Sequence, residues 1–228
     1  MKSKVVIVCA IIWLSATSLF AQNKDNRYHN FGSERNWKIQ VYAGPLAALS
    51  NVEGVLAADL GATGGFIYKK KFIASLYGQK MVTGHTRTNL SISDYPTSTE
   101  GEIKMIQVGG IAGYIFKPEA LLHWGVSSSV GVGKLELRVN DPVTMEPGKT
   151  YSDRIFIVIP RLFAEINMTK WFKINVTGGY RFPGKVNSYY TNQSGEEVLV
   201  FDKSDYTQPE FSVSLLFGTF GFRTVSLL

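Results

Sequence analysis

The chain has 228 residues, of which 45% are hydrophobic and 18% charged, with a formal net charge of +6 and a single cysteine. Cys9 lies within the first apolar run, so the chain beyond that run has no thiol for a disulfide or a thiolate metal site. The longest basic run is Lys69-Lys70-Lys71, and a positive excess that gathers on no face or helix argues against a nucleic-acid partner.

The amino terminus opens with Met1-Lys-Ser-Lys4, continues through an apolar stretch from Val5 to Leu14 and closes on small and polar residues at Ala21-Gln22. That order predicts a secretory signal peptide over residues 1–21. A retained transmembrane helix would need about 20 apolar residues, more than this stretch supplies. Cleavage leaves 207 residues and, with Lys2 and Lys4 gone, a charge of +4. Residues 22–36 read as a polar N-terminal segment and 37–228 as the folded domain.

From Trp37 onward apolar and polar residues alternate, and helical spacing is almost absent. In Trp171–Phe182, Phe172, Ile174, Val176, Tyr180 and Phe182 share one face while Lys173, Asn175, Thr177 and Arg181 share the other. One greasy and one wet side is the pattern of a strand between two media. The same reading places eight strands, over 37–49, 57–68, 72–83, 102–116, 121–137, 153–166, 171–182 and 208–222.

The connections alternate in length. Lys69–Lys71, Lys117–Ala120 and Asn167–Lys170 are tight, whereas 84–101, 138–152 and 183–207 are long and polar; Ser50–Gly54 is a modest first connection on the long side. Short turns at one end, long loops at the other and an even strand count predict an all-β, eight-stranded antiparallel up-and-down transmembrane β-barrel, with short periplasmic turns and longer extracellular loops. A soluble sandwich has no reason to put its long loops at one end. Most of these strands have 12 residues or more, enough to cross a bilayer at a tilt, which takes about 9–11.

Tyr68, Phe72, Tyr114, Phe116, Trp124, Trp171, Phe172, Tyr180 and Phe182 fall near strand ends, as interface girdles require. Glycines at 61, 64–65, 109–110, 113, 131, 133 and 178–179 lie inside strands, where a narrow barrel needs room. Pro160 is the misfit, since mid-strand it removes a ladder donor, and a bulge or a lumen water is expected there.

The signal end Phe20-Ala21-Gln22, the opening strand Trp37–Gly44, the hairpin Gly109–Pro118 and the closing Phe211–Phe222 resemble the outer-membrane β-barrel domain proteins abundant in Bacteroidota. The resemblance implies location in the cell outer membrane, contact with outer-membrane lipid and insertion by the barrel-assembly machinery. That machinery would read the alternation Phe211, Val213, Leu215, Phe217 and a terminal aromatic, Phe220 or Phe222; continuation through Arg223–Leu228 departs from the commonest form. Neither a peptidoglycan-binding domain nor a plug domain is expected.

If the apolar faces meet lipid, Lys38, Asp59, Arg161, Glu165, Lys173 and Arg181 point inward. They are expected to form a structural polar network, with Glu165 and Lys173 meeting at the periplasmic end near Arg161 and Lys38, and Asp59 and Arg181 at the outer end. Buried charges persist only when paired, and eight strands enclose only enough space for side chains. His123 and Ser127 share a face, yet four residues of extended chain separate them by about 13 Å, too far for a nucleophile and its base. His29, His85 and His123 are scattered, so no metal or other cofactor is expected. Tyr95-Pro96 and Tyr189–Glu197 mix aromatic and polar groups as recognition loops do. A non-enzymatic barrel contacting an extracellular or periplasmic partner is the first expectation. A lipid-active barrel enzyme is the second, and a soluble barrel holding an apolar ligand, with the opposite sidedness, the third.

Overall fold

The computed structural model of the protein describes residues 39–90, 99–140, 147–186, 188–192 and 194–220. The expected signal peptide, the polar segment, Lys38, His29, Tyr95-Pro96 and residues 221–228 lie outside them. The elements are β1 (Ile39–Val52), β2 (Val55–Tyr68), β3 (Phe72–Met81), β4 (His85–Leu90), β5 (Thr99–Phe116), β6 (Leu122–Asn140) and β7 (Pro147–Asn167). They continue with β8 (Phe172–Tyr180), β9 (Phe182–Pro183), β10 (Tyr189–Thr191), β11 (Glu197–Leu199), a helical turn α1 (Lys203–Tyr206) and β12 (Pro209–Gly218).

β3 and β4 both pair with β5 and act as one wall strand, and β8 and β9 both pair with β7 as another. The wall therefore has eight strands in the order β1, β2, β3/β4, β5, β6, β7, β8/β9, β12, and β12 returns antiparallel to β1 to close the barrel. Closure pairs the backbone of each wall strand on both sides, which is what a sheet immersed in hydrocarbon requires.

The first hairpin is tighter than the sequence reading. Val52 faces Val55 across Glu53-Gly54, whose φ values of 51° and 78° both lie in the left-handed region that a two-residue primed turn needs. Glycine takes the second position without cost. On the long-loop side, β5 to β7 run further than expected, with β7 alone reaching 21 residues.

The greasy faces look outward. Leu76, Val132, Leu162, Val176 and Phe211 are among the exposed large hydrophobics, with Leu76 72% exposed, while Asp59, Gln79, Gln107, Arg161, Glu165, Lys173 and Arg181 are buried. A soluble barrel around an apolar ligand would need the reverse, and that alternative is excluded. At about 3.3 Å per residue and a tilt of about 40°, the lipid-facing run of β6 from Trp124 to Val132 spans about 20 Å, close to the apolar band of such barrels.

Above that band the pattern inverts. Ile103, Met105, Leu135, Leu137, Ile155 and Ile157 face inward, while Glu102, Lys104, Lys134, Glu136, Arg138 and Arg154 face outward. The strand period stays at two but its polarity switches, because the outer medium changes from hydrocarbon to water. The expectation of a polar interior along the whole strand is thus corrected for the outer third of the barrel.

The narrow lumen explains the inward glycines. A Cβ on Gly125 would lie 2.3 Å from the Phe163 ring, and one on Gly179 would lie 2.8 Å from Arg161 Cγ. These glycines give up side-chain volume to large inward neighbours across the ladder. Pro160 carries no bulge: Arg161 faces Gly179 and Val158 faces Phe182, so the register is the same on both sides. The proline leaves a gap in the β7 to β8/β9 ladder, while on the other side of the strand the Arg181 N–H donates to the Gln208 carbonyl at 2.8 Å and continues the β8 to β12 register.

Aromatic rings band the short-turn end. Phe72 meets Tyr114 edge-on at 5.3 Å, Phe116 and Trp124 lie 4.3 Å apart, and Phe217 stacks on Phe172 at 5.1 Å and on Trp171 at 6.1 Å. Tyr180 and Phe182, 5.0 Å apart, stand on the long-loop side. The closing strand ends at Gly218, short of the expected 222. Phe220 keeps the inward side of Ser212, Ser214 and Leu216 and sits in the barrel mouth, 1% exposed, beside Tyr42. Among the described residues the last lipid-facing aromatic is therefore Phe217, while Phe222 lies beyond them.

Candidate functional site

The lumen is filled in layers. At the short-turn end Tyr42, Ile67, Ile73, Ile115, Phe163, Leu216 and Phe220 form an apolar base. Gln40 Nε2 donates to the Phe220 carbonyl at 2.6 Å, pinning the segment after β12 across the opening.

Glu165 is the acceptor at this level. Its carboxylate takes Lys173 Nζ at 3.3 Å, His123 Nε2 at 2.9 Å and Asn175 Nδ2 at 3.0 Å. Lys173 also lies 4.4 Å from the Phe220 ring centroid. Glu165 and Lys173 thus meet at the periplasmic end as their shared turn predicts. His123 is not a lone histidine: its other ring nitrogen lies 3.2 Å from the Ala120 carbonyl. His123 lies opposite Glu165 in the β6 to β7 ladder, a pairing the sequence did not reveal because the register shifts between Arg138 and Asn140 near the long connection that joins the two strands.

The second layer is a chain of four charges. Arg181 Nη2 contacts Asp59 Oδ2 at 3.4 Å and Glu210 Oε2 at 2.5 Å, and Arg161 Nη2 donates to Glu210 Oε1 at 2.9 Å. Gln79 Nε2 donates to Asp59 at 3.3 Å, and the Arg161 guanidinium lies 5.3 Å from the Tyr77 ring centroid. Asp59 and Arg181 come together as expected. Arg161 does not join the periplasmic group; it is drawn to Glu210, a residue the sequence reading missed. Glu210 lies on the inward face of β12, with Ser212 and Ser214, and its parity against the outward Phe211 and Val213 was the available signal. Two acids face two bases, so the chain is internally neutral.

Between the two layers lies a cavity of about 50 Å³ lined in part by Ser75, Ser127, Arg161, Glu165, Thr177 and Ser212. Ser127 shares that cavity with Glu165, but His123 is already held at the barrel base.

The outer third is closed by hydrophobic packing. Val186, Val200, Phe201 and Tyr206 from the last long loop pack onto Val52, Met81, Leu90, Ile103, Leu135, Leu137 and Ile155. Phe201 and Tyr206 meet edge-on at 6.0 Å. The loop is clasped from the first hairpin: Arg87 forms an ion pair with Glu53 and donates Nη1 to the Val200 carbonyl at 2.5 Å, while His85 lies 3.1 Å from Glu53. Burial alone would pull the Arg87 guanidinium down, but the Glu53 carboxylate outweighs it and holds its pKa above the ordinary value. Burial, then the charges of Glu53 and Asp202, push the Asp205 carboxyl up. Burial likewise pushes the Tyr206 phenol up, reinforced by Glu53.

Above this plug stand the β10–β11 hairpin and the extended walls of β5 to β7. Tyr189 is exposed while Tyr190 packs on Tyr151 at 6.1 Å. Ser188 binds Asp153 through its N–H at 3.1 Å and the Ser152 carbonyl through its hydroxyl at 3.0 Å. At the other end, Lys70 of the three-lysine turn reaches Glu119 at 3.4 Å on the surface.

No protein-family model and no curated protein sequence matches the chain. In shape it is similar to a major outer membrane protein from Thermus thermophilus, with a TM-score of 0.52 and 10% identity over 78% of this chain and 98% of that one. Neisserial surface protein A is matched at a TM-score of 0.49 and 9% identity over 80% and 96% of the two chains. Ail, the attachment invasion locus protein of Yersinia pestis, is matched at 0.44 and 12% over 79% and 95%. At such identities the Thermus likeness speaks to the fold alone, and it agrees with the sidedness of the wall. The chain is a transmembrane barrel of the outer-membrane type.

Proposed function

We propose that this integral outer-membrane barrel catalyses no reaction and conducts nothing, and that it acts through its outer crown as a contact surface for a partner outside the membrane. The observation that carries the reading is the stacked lumen, with an apolar base, two ion networks and a hydrophobic plug made from the last loop. What remains open to a partner is the β10–β11 hairpin, with exposed Tyr189, and the charged outer faces of β5 to β7. His123 with both ring nitrogens engaged, by Glu165 and by the Ala120 carbonyl, favours a structural role over lipid chemistry. Kinship with the Bacteroidota-type barrel domains rests on the opening and closing strands quoted above, and insertion by the barrel-assembly machinery rests on the alternation Phe211 to Phe217.

A photoreactive residue at position 189, introduced into the intact protein on living cells, tests the reading. A discrete crosslinked species that disappears when the hairpin 189–199 is replaced by a glycine turn is expected. Steady ion conductance in planar bilayers, or the lack of any crosslink from position 189 and from Arg138, would remove its basis.

A further inference from the structure

The row of outward residues where the wall leaves the apolar band is basic on one flank of the barrel. In the ladder register Lys80 lies opposite Ile106, Ile106 opposite Lys134, and Lys134 opposite Arg154, which sets three cations in one row across β3, β5, β6 and β7. Neighbouring strands lie about 4.8 Å apart, so Lys134 and Arg154 stand side by side. The row beneath, Gly78, Val108, Val132 and Phe156, is wholly apolar.

Between the two rows the wall is indented by a groove of about 520 Å³ lined by Ile106, Val108, Val132 and Phe156 with Lys134 and Arg154 at its upper end. Val108, Val132 and Phe156 are each more than half exposed, so the groove opens to the surrounding lipid.

Charges of both signs surround the upper end. Lys134 reaches Glu136 at 2.6 Å, Arg138 reaches the same carboxylate at 2.8 Å, and Glu102 holds Lys104 at 2.8 Å. Lys80, Lys104, Lys134, Arg138 and Arg154 therefore outnumber Glu102 and Glu136 by three charges, and Arg154 has no carboxylate partner among the described residues. The opposite flank offers no such row: at the same level β2, β8, β9 and β12 present Leu56, Leu60, Tyr180, Phe182 and Phe211 outward. Interface lysines that merely marked the headgroup level would be spread around the barrel.

We propose that this groove is a binding site for a phosphate-bearing lipid of the outer leaflet, whose acyl chain lies along Val108, Val132 and Phe156 while its phosphate bridges Lys134 and Arg154. The apolar floor accepts a chain that is already in hydrocarbon, so selectivity comes from the cation pair. Arg154 offers a planar fork of donors and Lys134 a point charge, and a phosphate can accept from both at once.

The test uses the full barrel in phosphatidylcholine nanodiscs with bisphosphorylated lipid A as the added probe, and reads bound lipid by native mass spectrometry. The parent protein is expected to retain the probe, and lipid A stripped of both phosphates, with the same acyl chains, is expected to bind at least tenfold more weakly. Each surface cation contributes enough that the double variant Lys134→Ala/Arg154→Ala should also lose roughly tenfold or more, while Lys70→Ala at the far end of the barrel should lose nothing. Conservative exchange, Lys134→Arg with Arg154→Lys, is expected to restore most of the binding. Equal retention of the two lipids by the parent protein, which needs no variant to fold, would overturn the proposal. So would parent-like binding by the double variant when its heat-modifiable gel mobility shows it folded.

Discussion

Replacing Arg181 by Met tests whether the four-charge chain holds the lumen together. Arg181 is fully buried and bridges Asp59 at 3.4 Å and Glu210 at 2.5 Å. Methionine keeps much of the volume but removes both contacts. Glu210 still has Arg161 at 2.9 Å, whereas Asp59 keeps only the Gln79 amide at 3.3 Å. Breaking one side of a buried ionic network typically costs about 3–5 kcal/mol, because a charge is left without compensation. At about 1–3 kcal/mol per molar urea, the unfolding midpoint in lipid vesicles should fall by about 1–5 M, read by heat-modifiable gel mobility and tryptophan fluorescence. Adding Asp59→Asn removes the stranded carboxylate and leaves a neutral amide that can still accept from Gln79, so the double variant should recover at least about half of the loss. A single variant within about 0.5 kcal/mol of the parent, the ordinary range of surface substitutions, would refute the reasoning. A double variant no better than the single would refute it equally.

Three further outcomes follow from the same geometry. Leu76, midway between the basal Phe72 and the rim Lys80, is 72% exposed on the lipid face; Leu76→Arg should cost about 2–4 kcal/mol in vesicle refolding, whereas a wall facing water would tolerate it. Phe220→Ala should cost about 3–5 kcal/mol by opening the base beside Tyr42 and Lys173, and should exceed the cost of Phe217→Ala on the lipid side in the same urea titration. The Asp205 carboxyl is raised first by burial and then by Glu53 and Asp202. Its folded pKa lies above its unfolded one, so the charge works against the docked loop at neutral pH and stops doing so as pH falls through the raised value. Asp205→Asn should therefore slow tryptic cleavage after Lys203 at neutral pH, and a fluorescence measure of loop docking should show no difference from the parent below about pH 4, where the unfolded carboxyl is also protonated.

The wall was legible because period and loop length are local properties. All eight strands are found, and Asp59, Glu165, Lys173, Arg161 and Arg181 face inward because parity alone decides the side. Partner choice is less local. Arg161 and Glu210 come from strands that meet only through β8, so their pairing depends on barrel stagger, which a single strand's pattern does not carry. The plug was missed for a different reason: Val200 and Phe201 end a run of only four apolar residues, Val198 to Phe201, inside a long connection, too short to show a period, and with Tyr206 they become a core only when the apolar inward faces of β5, β6 and β7 supply the other half. Those faces did carry a signal. The switch from Ile106 outward to Ile103 and Met105 inward, repeated at Val132 against Leu135 and at Phe156 against Ile155, is a change of phase in the sequence itself.

That change of phase bears on what the barrel is for. A pore gains nothing from carrying its strands past the headgroups with a dry interior, since each added inward Ile or Leu closes the path. A display scaffold does gain. The extended walls of β5 to β7 bury their inward faces against the last loop, so the loop is held by packing and by the Glu53 to Arg87 clasp, and costs less entropy when a partner binds. The lumen charges below serve the same end. Because Asp59, Glu210, Arg161 and Arg181 neutralise one another inside the wall, that layer adds no net charge to the field outside it, and the row of Lys80, Lys134 and Arg154 faces lipid phosphate without opposition from within.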